Sequence, residues 1–344
     1  MKSKLYLSFL VIILVGCVFF SSCSKEKREN RKNLTVAFYN VENLFDTVDE
    51  PGKIDEEFTP GSEKQWTDER YRKKLEDISA VLSSIDKREL PEIIGLCEVE
   101  NKKVVSDLVH TDKLAAGKYG IVHYESPDVR GIDCALIYRP DEFKVLDHFP
   151  IHITFKDEPD YKTRDILYVK GKTKNREEFH FFVNHWPSRI GGEEQTEPKR
   201  VAVATVLRAK IDSVLQVSPK AKIIVMGDMN DEPANKSLSE TLSAGIPGRS
   251  NMELVNLMYP DDLQNLGSYN FRGNWNMLDN LIVSTNLLDE EGFQCSDKKG
   301  FVFREEWMEY KNNRGEISPN RTYGGPNYYG GISDHFPVYF KLQH

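Results

Sequence analysis

Apolar runs in this sequence end repeatedly in short clusters of acids, amides and histidines. The clusters are Asn40-Val-Glu-Asn43, Glu98, Asn184-His-Trp186, Gly227-Asp-Met-Asn230, Asp279 and Ser333-Asp-His335. An acid at the end of a buried strand costs free energy unless it is hydrogen-bonded or shares a counter-charge. Together the clusters supply the carboxylates, amides and histidines that are required where a divalent cation assists hydrolysis of a phosphoester.

The N-terminus has the layout of a secretory signal. Lys2 and Lys4 precede an apolar stretch over residues 5–20, and small residues follow it. Phe20-Ser-Ser-Cys23 resembles the processing site of bacterial lipoproteins. We therefore expect residues 1–22 to be a signal peptide, and Cys23 to be the lipidated residue of an exported, membrane-anchored lipoprotein, in the outer membrane. Two alternatives stay open, namely lipidation at Cys17 and a cleaved signal without lipid.

The rest of the chain divides into a short tether and one domain. Residues 23–33 are almost entirely polar or charged, which predicts a flexible segment. Residues 34–344 contain neither an internal repeat nor a second linker, so they are predicted to form a single domain. Three cysteines remain in that domain, Cys97, Cys134 and Cys295, and an odd number does not form a disulfide framework.

The charge of the chain limits the kind of nucleic-acid contact it can make. The formal net charge is −8. Proteins that coat nucleic acid without sequence preference need a broad basic surface, so this class is disfavoured. A nuclease that holds its substrate only transiently is still compatible with the composition, because it needs only local basic groups and a metal ion.

Strands outnumber helices in the hydrophobic pattern, and many strands follow one another without an intervening helix. This pattern favours an α+β fold with two packed, mainly antiparallel sheets and flanking helices. The predicted helices cover residues 68–85 and 198–215. The predicted strands cover residues 34–39, 93–97, 119–124, 132–138, 166–170, 179–184, 223–226, 280–283 and 336–342.

Glu98 and the pair Asn40 and Glu42 are candidate residues of a cation site. Glu98 directly follows a buried strand, where a carboxylate can face a cleft and bind a hard cation through oxygen. The alternative is a surface acid that caps the following helix. Asn40 and Glu42 lie two residues apart and would point to the same face of an extended strand. Their alternative is an ordinary Asx turn.

Asp228 and Asn230 repeat this spacing after another buried strand, and Gly227 allows close approach of a ligand to the backbone. Asp228 could orient or deprotonate a water molecule, and Asn230 could hold a phosphate oxygen. A plain turn is the alternative, since Asp231 and Pro233 follow directly.

Two histidines also follow or precede strands, His185 in Asn184-His-Trp-Pro187 and His335 in Ser333-Asp-His335. Each would need a carboxylate partner that sets its tautomer and raises its pKa. Asp279 and Asp133 are the available candidates. A structural histidine is the alternative for His185, and an exposed turn histidine is the alternative for His335.

The clusters resemble, in type and in order, those of the endonuclease/exonuclease/phosphatase superfamily. The resemblance spans residues 34–341, and Asn40-Val-Glu-Asn-Leu-Phe45 with Ser126-Pro-Asp-Val-Arg-Gly-Ile-Asp133 is similar to a bacterial branch that contains secreted nucleases. It implies a four-layer αββα sandwich and a Mg²⁺ or Mn²⁺ site, with Ca²⁺ as a further alternative. The implied cation site is centred on Glu98, with Asn40, Glu42 and Asp334 nearby.

The same resemblance implies roles for the remaining residues. Asp228 and Asn230 would align the attacking water and hold the phosphate. His335, oriented by Asp279, would contact a phosphate oxygen, and His185, with Asp133 as its candidate partner, would assist the leaving group. Arg130 and Arg189 could meet substrate phosphate, with solvated loop arginines as the alternative. Some members of the superfamily use a tyrosine for related work, and no equivalent stands out in this sequence.

The predicted activity is metal-dependent hydrolysis of a phosphoester by in-line attack of water. The first expectation is an exported, monomeric nuclease that binds DNA or RNA transiently. One alternative is a lipid or inositol phosphodiesterase or phosphatase, similar to bacterial sphingomyelinases. Another is an inactive lipoprotein that only binds its ligand at the surface.

Overall fold

A computed structural model describes residues 33–249, 252–289 and 291–344. The predicted signal peptide, the predicted lipidation site at Cys23 and all of the predicted tether except residue 33 lie outside these residues. Within the described part of the chain, no helix combines the length and the apolar character needed to cross a membrane. Cys97, Cys134 and Cys295 are all buried and free of disulfide bonds, as the odd number predicted.

The described residues form nineteen strands and four α-helices. The helices are α1 (Asp68–Ser84), α2 (Lys102–Val109), α3 (Glu193–Val217) and α4 (Tyr259–Asp262). Shorter helical turns lie at Glu56–Phe58, Ala115–Gly117, Ser237–Thr241, Thr285–Leu287 and Glu306–Met308. The strands are β1 (Asn33–Leu44), β2 (Ile93–Val99), β3 (Gly120–His123), β4 (Asp133–Tyr138), β5 (Phe143–Ile151), β6 (Ile166–Thr173), β7 (Glu178–His185), β8 (Lys222–Asp228), β9 (Ala244–Gly245), β10 (Leu254–Asn256), β11 (Tyr269–Phe271), β12 (Asn274–Asn276), β13 (Asp279–Ser284), β14 (Phe301–Val302), β15 (Glu309–Lys311), β16 (Ile317–Pro319), β17 (Tyr323–Gly324), β18 (Asn327–Tyr328) and β19 (Val338–Gln343).

Two large sheets form the centre of the fold. One has the order β14-β19-β1-β2-β4-β3 and the other the order β5-β6-β7-β8-β13-β10-β9. Most neighbouring strands are antiparallel, and the parallel neighbours are β1 with β2, β7 with β8 and β9 with β10. The predicted α+β fold with two mainly antiparallel sheets is therefore confirmed.

Apolar side chains fill three layers, which makes the arrangement a four-layer αββα sandwich. The inner faces of the two sheets pack together through residues that include Val36, Phe38, Leu136, Phe181 and Met226. Helices α1 and α2 cover the outer face of the first sheet, through Leu75, Ile78, Leu82 and Val105. Helix α3 covers the outer face of the second sheet, through Val203, Leu207 and Ile211.

Close contact between the sheets depends on a glycine in β2. A Cβ atom on Gly95 would lie 2.4 Å from the sulfur of Met226 in the facing sheet. Any larger side chain at this position would push the sheets apart. Because Gly95 and Met226 lie in β2 and β8, this packing fixes the relative position of two strands that both end in candidate site residues.

Strand directions bring the polar clusters to one edge of the sandwich. The parallel pairs β1 with β2 and β7 with β8 place four carboxyl ends at that edge. Strand β13 runs antiparallel to β8, with Asp279 opposite Asp228, and β19 begins beside the end of β1, with Val338 opposite Phe38. The amino ends of β13 and β19 therefore lie at the same edge as the four carboxyl ends.

Helix α3 begins five residues before the predicted start at Pro198. A proline lacks the amide donor that the helix interior requires, which is why the sequence favoured a start at that residue. In the structure the Arg200 side chain donates to the Glu193 carbonyl at 2.9 Å and to the Thr196 hydroxyl at 2.7 Å. These contacts fasten the first turns of the helix around the proline.

Candidate active site

Glu98 lies on a bulge that turns its side chain toward the polar edge. Its φ is +61°, and the pairing of β2 with β4 shifts between Cys97 and Val99. One carboxylate oxygen accepts the Asn43 backbone N–H at 2.9 Å, and the other accepts Nδ2 of Asn40 at 3.3 Å. Helix α2 is capped by Asn101, which accepts Val104 N–H at 3.0 Å. Glu98 is therefore not the helix cap that the sequence left as an alternative.

Asn40 connects two of the candidate acids. Its Nδ2 donates to Glu98 Oε1 at 3.3 Å and to Asp228 Oδ2 at 3.0 Å, and its Oδ1 accepts the backbone N–H of Glu42 at 3.0 Å. The amide thus positions two carboxylates that belong to different sheets. Its role as an oxygen ligand of a cation stays a prediction.

The expectation that Glu42 shares a face with Asn40 is wrong. Glu42 and Asn43 have φ values of +48° and +53°, so the alternation of an extended strand is broken after Val41. The Glu42 carboxylate instead accepts the backbone N–H groups of Thr322 and Tyr323, at 2.7 and 3.3 Å. Burial, and then the nearby charge of Asp334, raise its pKa to about 7.

Asp228 is the central acid of the site. One oxygen accepts Nδ2 of Asn40 and the other accepts the Asn230 backbone N–H at 2.9 Å. Nε2 of His185 lies 3.7 Å from Asp228 Oδ2, and Nε2 of His335 lies 3.8 Å from the same oxygen. Burial raises the pKa of Asp228 to about 7, against the influence of His335. This carboxylate can therefore accept a proton near neutral pH.

Asn230 is held at the site by its neighbours. Its φ is +50°, and its Nδ2 donates to the Trp186 carbonyl at 3.1 Å. Arg189 donates to the Asn230 carbonyl at 2.7 Å and to Asn235 Oδ1 at 3.0 Å. Arg189 therefore holds this loop and is not a solvated loop arginine, while its contact with substrate phosphate stays a prediction.

His335 is paired with Asp279. The Nδ1 atom lies 2.6 Å from Asp279 Oδ2, and both side chains are buried. Burial disfavours the protonated imidazole, but the carboxylates of Asp279 and Asp228 outweigh it, so the pKa of His335 lies well above its usual value. The second nitrogen, Nε2, faces Asp228, and at neutral pH it carries a proton that can be donated to an anion.

Tyr269 packs against His335 and lies outside the polar clusters of the sequence. The two ring centroids are 4.8 Å apart, with an interplanar angle of 33°. Burial raises the pKa of Tyr269 to about 12, and the acids Asp334, Asp228 and Glu98 act on it in the same direction. This tyrosine belongs to a short hairpin, β11 with β12, and no sequence pattern marks it as a site residue.

His185 faces the site from the side opposite to His335. It is fully buried, and Nδ1 has no hydrogen-bond partner in the described part of the protein. Burial, and then the charge of Arg164, hold the pKa of His185 well below its usual value, so the ring is neutral. The proposed partner Asp133 lies instead 3.1 Å from Nε2 of His123 and accepts Ser126 N–H at 2.8 Å. The pairing of Asp133 with His185 is therefore wrong.

Two arginines lie beside the acids. Arg321, which the sequence did not single out, binds Asp334 Oδ2 at 2.6 Å and lies 3.9 Å from Glu42. Arg130 is half-exposed, lies 3.6 Å from Asp128, and contributes to the low pKa of His185. Arg130 therefore stays a candidate for contact with substrate phosphate.

The acidic groups suit a hard divalent cation. Asp228 and Asp279 are buried opposite each other, and Asp279 Oδ1 has no hydrogen-bond donor among the described residues. The ligand atoms of Asp228, Asp279 and His335 lie within 4.8 Å of one another, although Nδ1 of His335 is already paired with Asp279. The site thus carries a buried carboxylate oxygen, Asp279 Oδ1, that no described donor satisfies, and carboxylate oxygens are the ligands that hard divalent cations prefer.

Solved structures with the same fold cover almost the whole chain. An endonuclease/exonuclease/phosphatase family protein from Bacteroides thetaiotaomicron is 19% identical with a TM-score of 0.57, covering 91% of this chain and 98% of its own. A mannosyl-6-phosphatase from Bacteroides thetaiotaomicron is 19% identical with a TM-score of 0.56, covering 90% and 99%. TDP2 from D. rerio, complexed with single strand DNA product, is 14% identical with a TM-score of 0.54, covering 91% and 100%.

No curated protein matches the sequence. The sequence model of one family, described as the endonuclease/exonuclease/phosphatase family, matches residues 35–344. This span contains every described strand and helix that contributes to the polar edge. The chain therefore belongs to the endonuclease/exonuclease/phosphatase family.

Proposed function

We propose that this protein is a divalent-metal-dependent phosphodiesterase that hydrolyses DNA or RNA outside the cytoplasm. The observation that carries the proposal is the position of Asp228, which is held by Asn40 and faced by two histidines at 3.7 and 3.8 Å. Asp228 is the base, with the protonated His335 on one side and the neutral His185 on the other. This arrangement is suited to activating a water molecule that attacks a phosphate held between the two histidines.

Glu98 and Asp334 would hold a divalent cation, which would neutralise negative charge on the phosphate, an effect worth several kcal/mol in such sites. Asp228 takes a proton from the attacking water, because its raised pKa makes it a base near neutral pH. Asn40 and the Asn230 backbone hold the two oxygens of Asp228 and so direct its free lone pairs.

The two histidines have different protonation states and so different tasks. His335 donates a hydrogen bond from its protonated Nε2 to a non-bridging phosphate oxygen. Asp279 holds the ring and stabilises its positive charge. Neutral His185 donates a hydrogen bond toward the leaving oxygen on the other side of Asp228. The similarity in fold to a TDP2 structure that contains single strand DNA product supports nucleic acid as the substrate.

A second candidate function is a phosphatase acting on phosphorylated sugars or lipids. It is favoured by the similar fold of the Bacteroides thetaiotaomicron mannosyl-6-phosphatase. The acidic net charge of −8 also suits a small substrate better than a long polyanion.

A substrate panel separates these functions. Purified protein is incubated with supercoiled plasmid, RNA, bis(4-nitrophenyl) phosphate, mannose 6-phosphate and sphingomyelin, each with Mg²⁺, Mn²⁺, Ca²⁺ or EDTA. We expect nicking of plasmid or cleavage of RNA that EDTA abolishes. Release of inorganic phosphate from the monoester alone would establish the phosphatase instead. Metal binding without hydrolysis of any substrate would identify an inactive binding protein.

A further inference from the structure

Arg164 is a buried arginine that binds the backbone carbonyls of His185 and Trp186 and the side chain of Asp128. Its Nε donates to the His185 carbonyl at 3.1 Å and its Nη2 to the Trp186 carbonyl at 2.5 Å. Its Nη1 pairs with Asp128 Oδ2 at 3.0 Å. The guanidinium therefore donates hydrogen bonds to two consecutive carbonyls at the end of β7 and to the carboxylate of Asp128 in another loop.

The Trp186 carbonyl is shared with the other half of the site. It accepts Nδ2 of Asn230 at 3.1 Å as well as Nη2 of Arg164, and the Trp186 N–H donates to the Asp228 carbonyl at 2.9 Å. A shift of this carbonyl would move His185 and Asn230 together. Arg164 and Asn230 therefore bind the same carbonyl oxygen, and Asn230 belongs to the loop that follows Asp228.

Asp128 brings a third element into this network. It lies in the loop between β3 and β4, and its Oδ1 accepts the backbone N–H of Arg130 at 2.9 Å. Nε of Arg130 also lies 3.6 Å from this oxygen, and the charge of Arg130 contributes to the low pKa of His185. The same carboxylate therefore orders the Arg130 loop through one oxygen and binds Arg164 through the other.

Stability alone does not explain an arginine at this place. Burying an ion pair costs both charges their hydration, and apolar residues of similar size usually serve a core equally well. The planar guanidinium binds these three acceptors through three different nitrogens in fixed directions. A lysine has three donors as well, but they lie on one freely rotating nitrogen and do not reproduce this fork. The contacts of Arg164 therefore fix the orientation of the backbone at His185 and Trp186 relative to Asp128.

We propose that Arg164 is a positioning residue, which sets His185 and Asn230 relative to Asp228 and ties both to the loop that carries Arg130. The residue does not touch the reacting atoms. The proposal rests on the proposed phosphoesterase activity where it concerns turnover, but its geometric content is independent of the substrate.

The kinetic test uses bis(4-nitrophenyl) phosphate with Mg²⁺. Arg164→Lys keeps the positive charge but removes the planar set of guanidinium donors. Because His185 and Asn230 would then be displaced slightly, we expect kcat to fall by about 10-fold to 100-fold, as for other small displacements of catalytic groups. Arg139→Lys is the matched control, because Arg139 also binds a carbonyl and a carboxylate, at the opposite end of the first sheet. Equal kcat in the wild type and in Arg164→Lys would overturn the proposal.

A double-variant cycle separates positioning from a general structural role. If Arg164 acts through His185, the combined Arg164→Lys and His185→Gln variant is less impaired than the product of the two single effects. Effects that multiply in full would show that Arg164 acts independently of His185, against the proposal. Should Arg164→Lys fail to fold, Asp128→Asn makes the same test with Arg164 in place.

A spectroscopic readout does not depend on turnover. In the metal-free protein, Arg164→Lys should shift the ¹H–¹⁵N side-chain signals of His185, identified by their loss in His185→Gln, and leave those of His335 unchanged. Unmoved His185 signals would refute the positioning role whatever the protein hydrolyses. If the wild type hydrolyses no phosphoester but the His185 signals shift in Arg164→Lys, the proposed function is refuted and the positioning role is not.

Discussion

His335 and Asp279 are joined by a 2.6 Å contact that spans the two halves of the protein, since Asp279 opens β13 in one sheet and His335 precedes β19 in the other. The contact holds one imidazole nitrogen and leaves the second facing Asp228. This hydrogen bond links the two sheets at the site, as the contact of Asn40 with Asp228 also does, and the carboxylate of Asp279 favours the protonated ring.

Asp279→Asn should lower kcat by about 10-fold to 100-fold, the usual effect of removing the carboxylate partner of a functional histidine. The amide keeps a hydrogen bond to Nδ1 but does not stabilise the protonated ring. Turnover of bis(4-nitrophenyl) phosphate measures the effect. Asp165→Asn is the matched control, because Asp165 makes a 2.7 Å contact with the exposed His152. A kcat equal to that of the control would contradict the role of the pair.

Glu98→Gln should lower turnover by about 1,000-fold, because a cation site that loses its charged ligand forfeits several kcal/mol of transition-state stabilisation. The variant should also bind Mn²⁺ more weakly in a calorimetric titration. Glu100→Gln provides the comparison, since Glu100 is only two residues away but accepts the Asp46 N–H at 2.6 Å. Burial raises the pKa of Glu100 to about 8, so the carboxyl is largely uncharged at neutral pH and an amide replaces it closely. Activity within about two-fold of the wild type is therefore expected for Glu100→Gln. Similar losses in both variants would point to damage of the bulge and away from a cation site.

His180 should make the protein less stable in mild acid. Burial lowers its pKa from 6.5 to about 4, so the unfolded chain takes up a proton between these values while the native protein does not. The free energy of unfolding therefore falls as the pH decreases from about 6.5 to about 4. At pH 5 the loss relative to pH 7 is about 2 kcal/mol.

Urea unfolding of the wild type and of His180→Gln at pH 7 and pH 5 measures this contribution. The stability advantage of the wild type over the variant should narrow by about 2 kcal/mol at the lower pH. Other titrating groups cancel in this comparison because both proteins carry them. A constant difference at the two pH values would show that His180 titrates normally in the folded protein.

Lipidation at Cys23 predicts a change in location. Cys23→Ser should move the protein from the membrane fraction to the soluble exported fraction, and labelling with a fatty acid should disappear. Cys17→Ser is the control that tests the earlier cysteine. Loss of label in Cys17→Ser alone would assign the lipid to that residue, and absence of label in the wild type would establish a plain cleaved signal.

Much of the site follows from strand ends, which sequence patterns locate well. Asp228, Asp279 and His335 each adjoin an apolar run, and strands of known direction carry such ends to a common edge. The fold class is accessible for the same reason, since alternation and helical spacing reflect burial. Strand ends therefore predicted that Asp228, Asp279 and His335 would meet, but they did not predict every pairing, since Asp133 contacts His123 and not His185.

Direction of the side chains was harder to predict where the backbone leaves regular geometry. Glu42 turns away because two successive residues adopt positive φ, which alternation does not reveal. Partners that come from loops or from a short hairpin were also missed, namely Arg164 and Arg321 in loops and Tyr269 in the hairpin of β11 with β12. No periodicity links such residues to a site, since loop position depends on contacts far apart in sequence.

Glu42, Asn43, Glu98 and Asn230 all have φ between +48° and +61°, so the kinks that aim the site occur at residues other than glycine. A left-handed residue with a side chain costs roughly 1–2 kcal/mol relative to its relaxed conformation. Asparagine adopts this conformation readily, so the cost falls mainly on Glu42 and Glu98. A consensus or directed-evolution campaign that scores only the melting temperature would thus favour glycine at these two glutamates, and would remove two carboxylates from the polar edge.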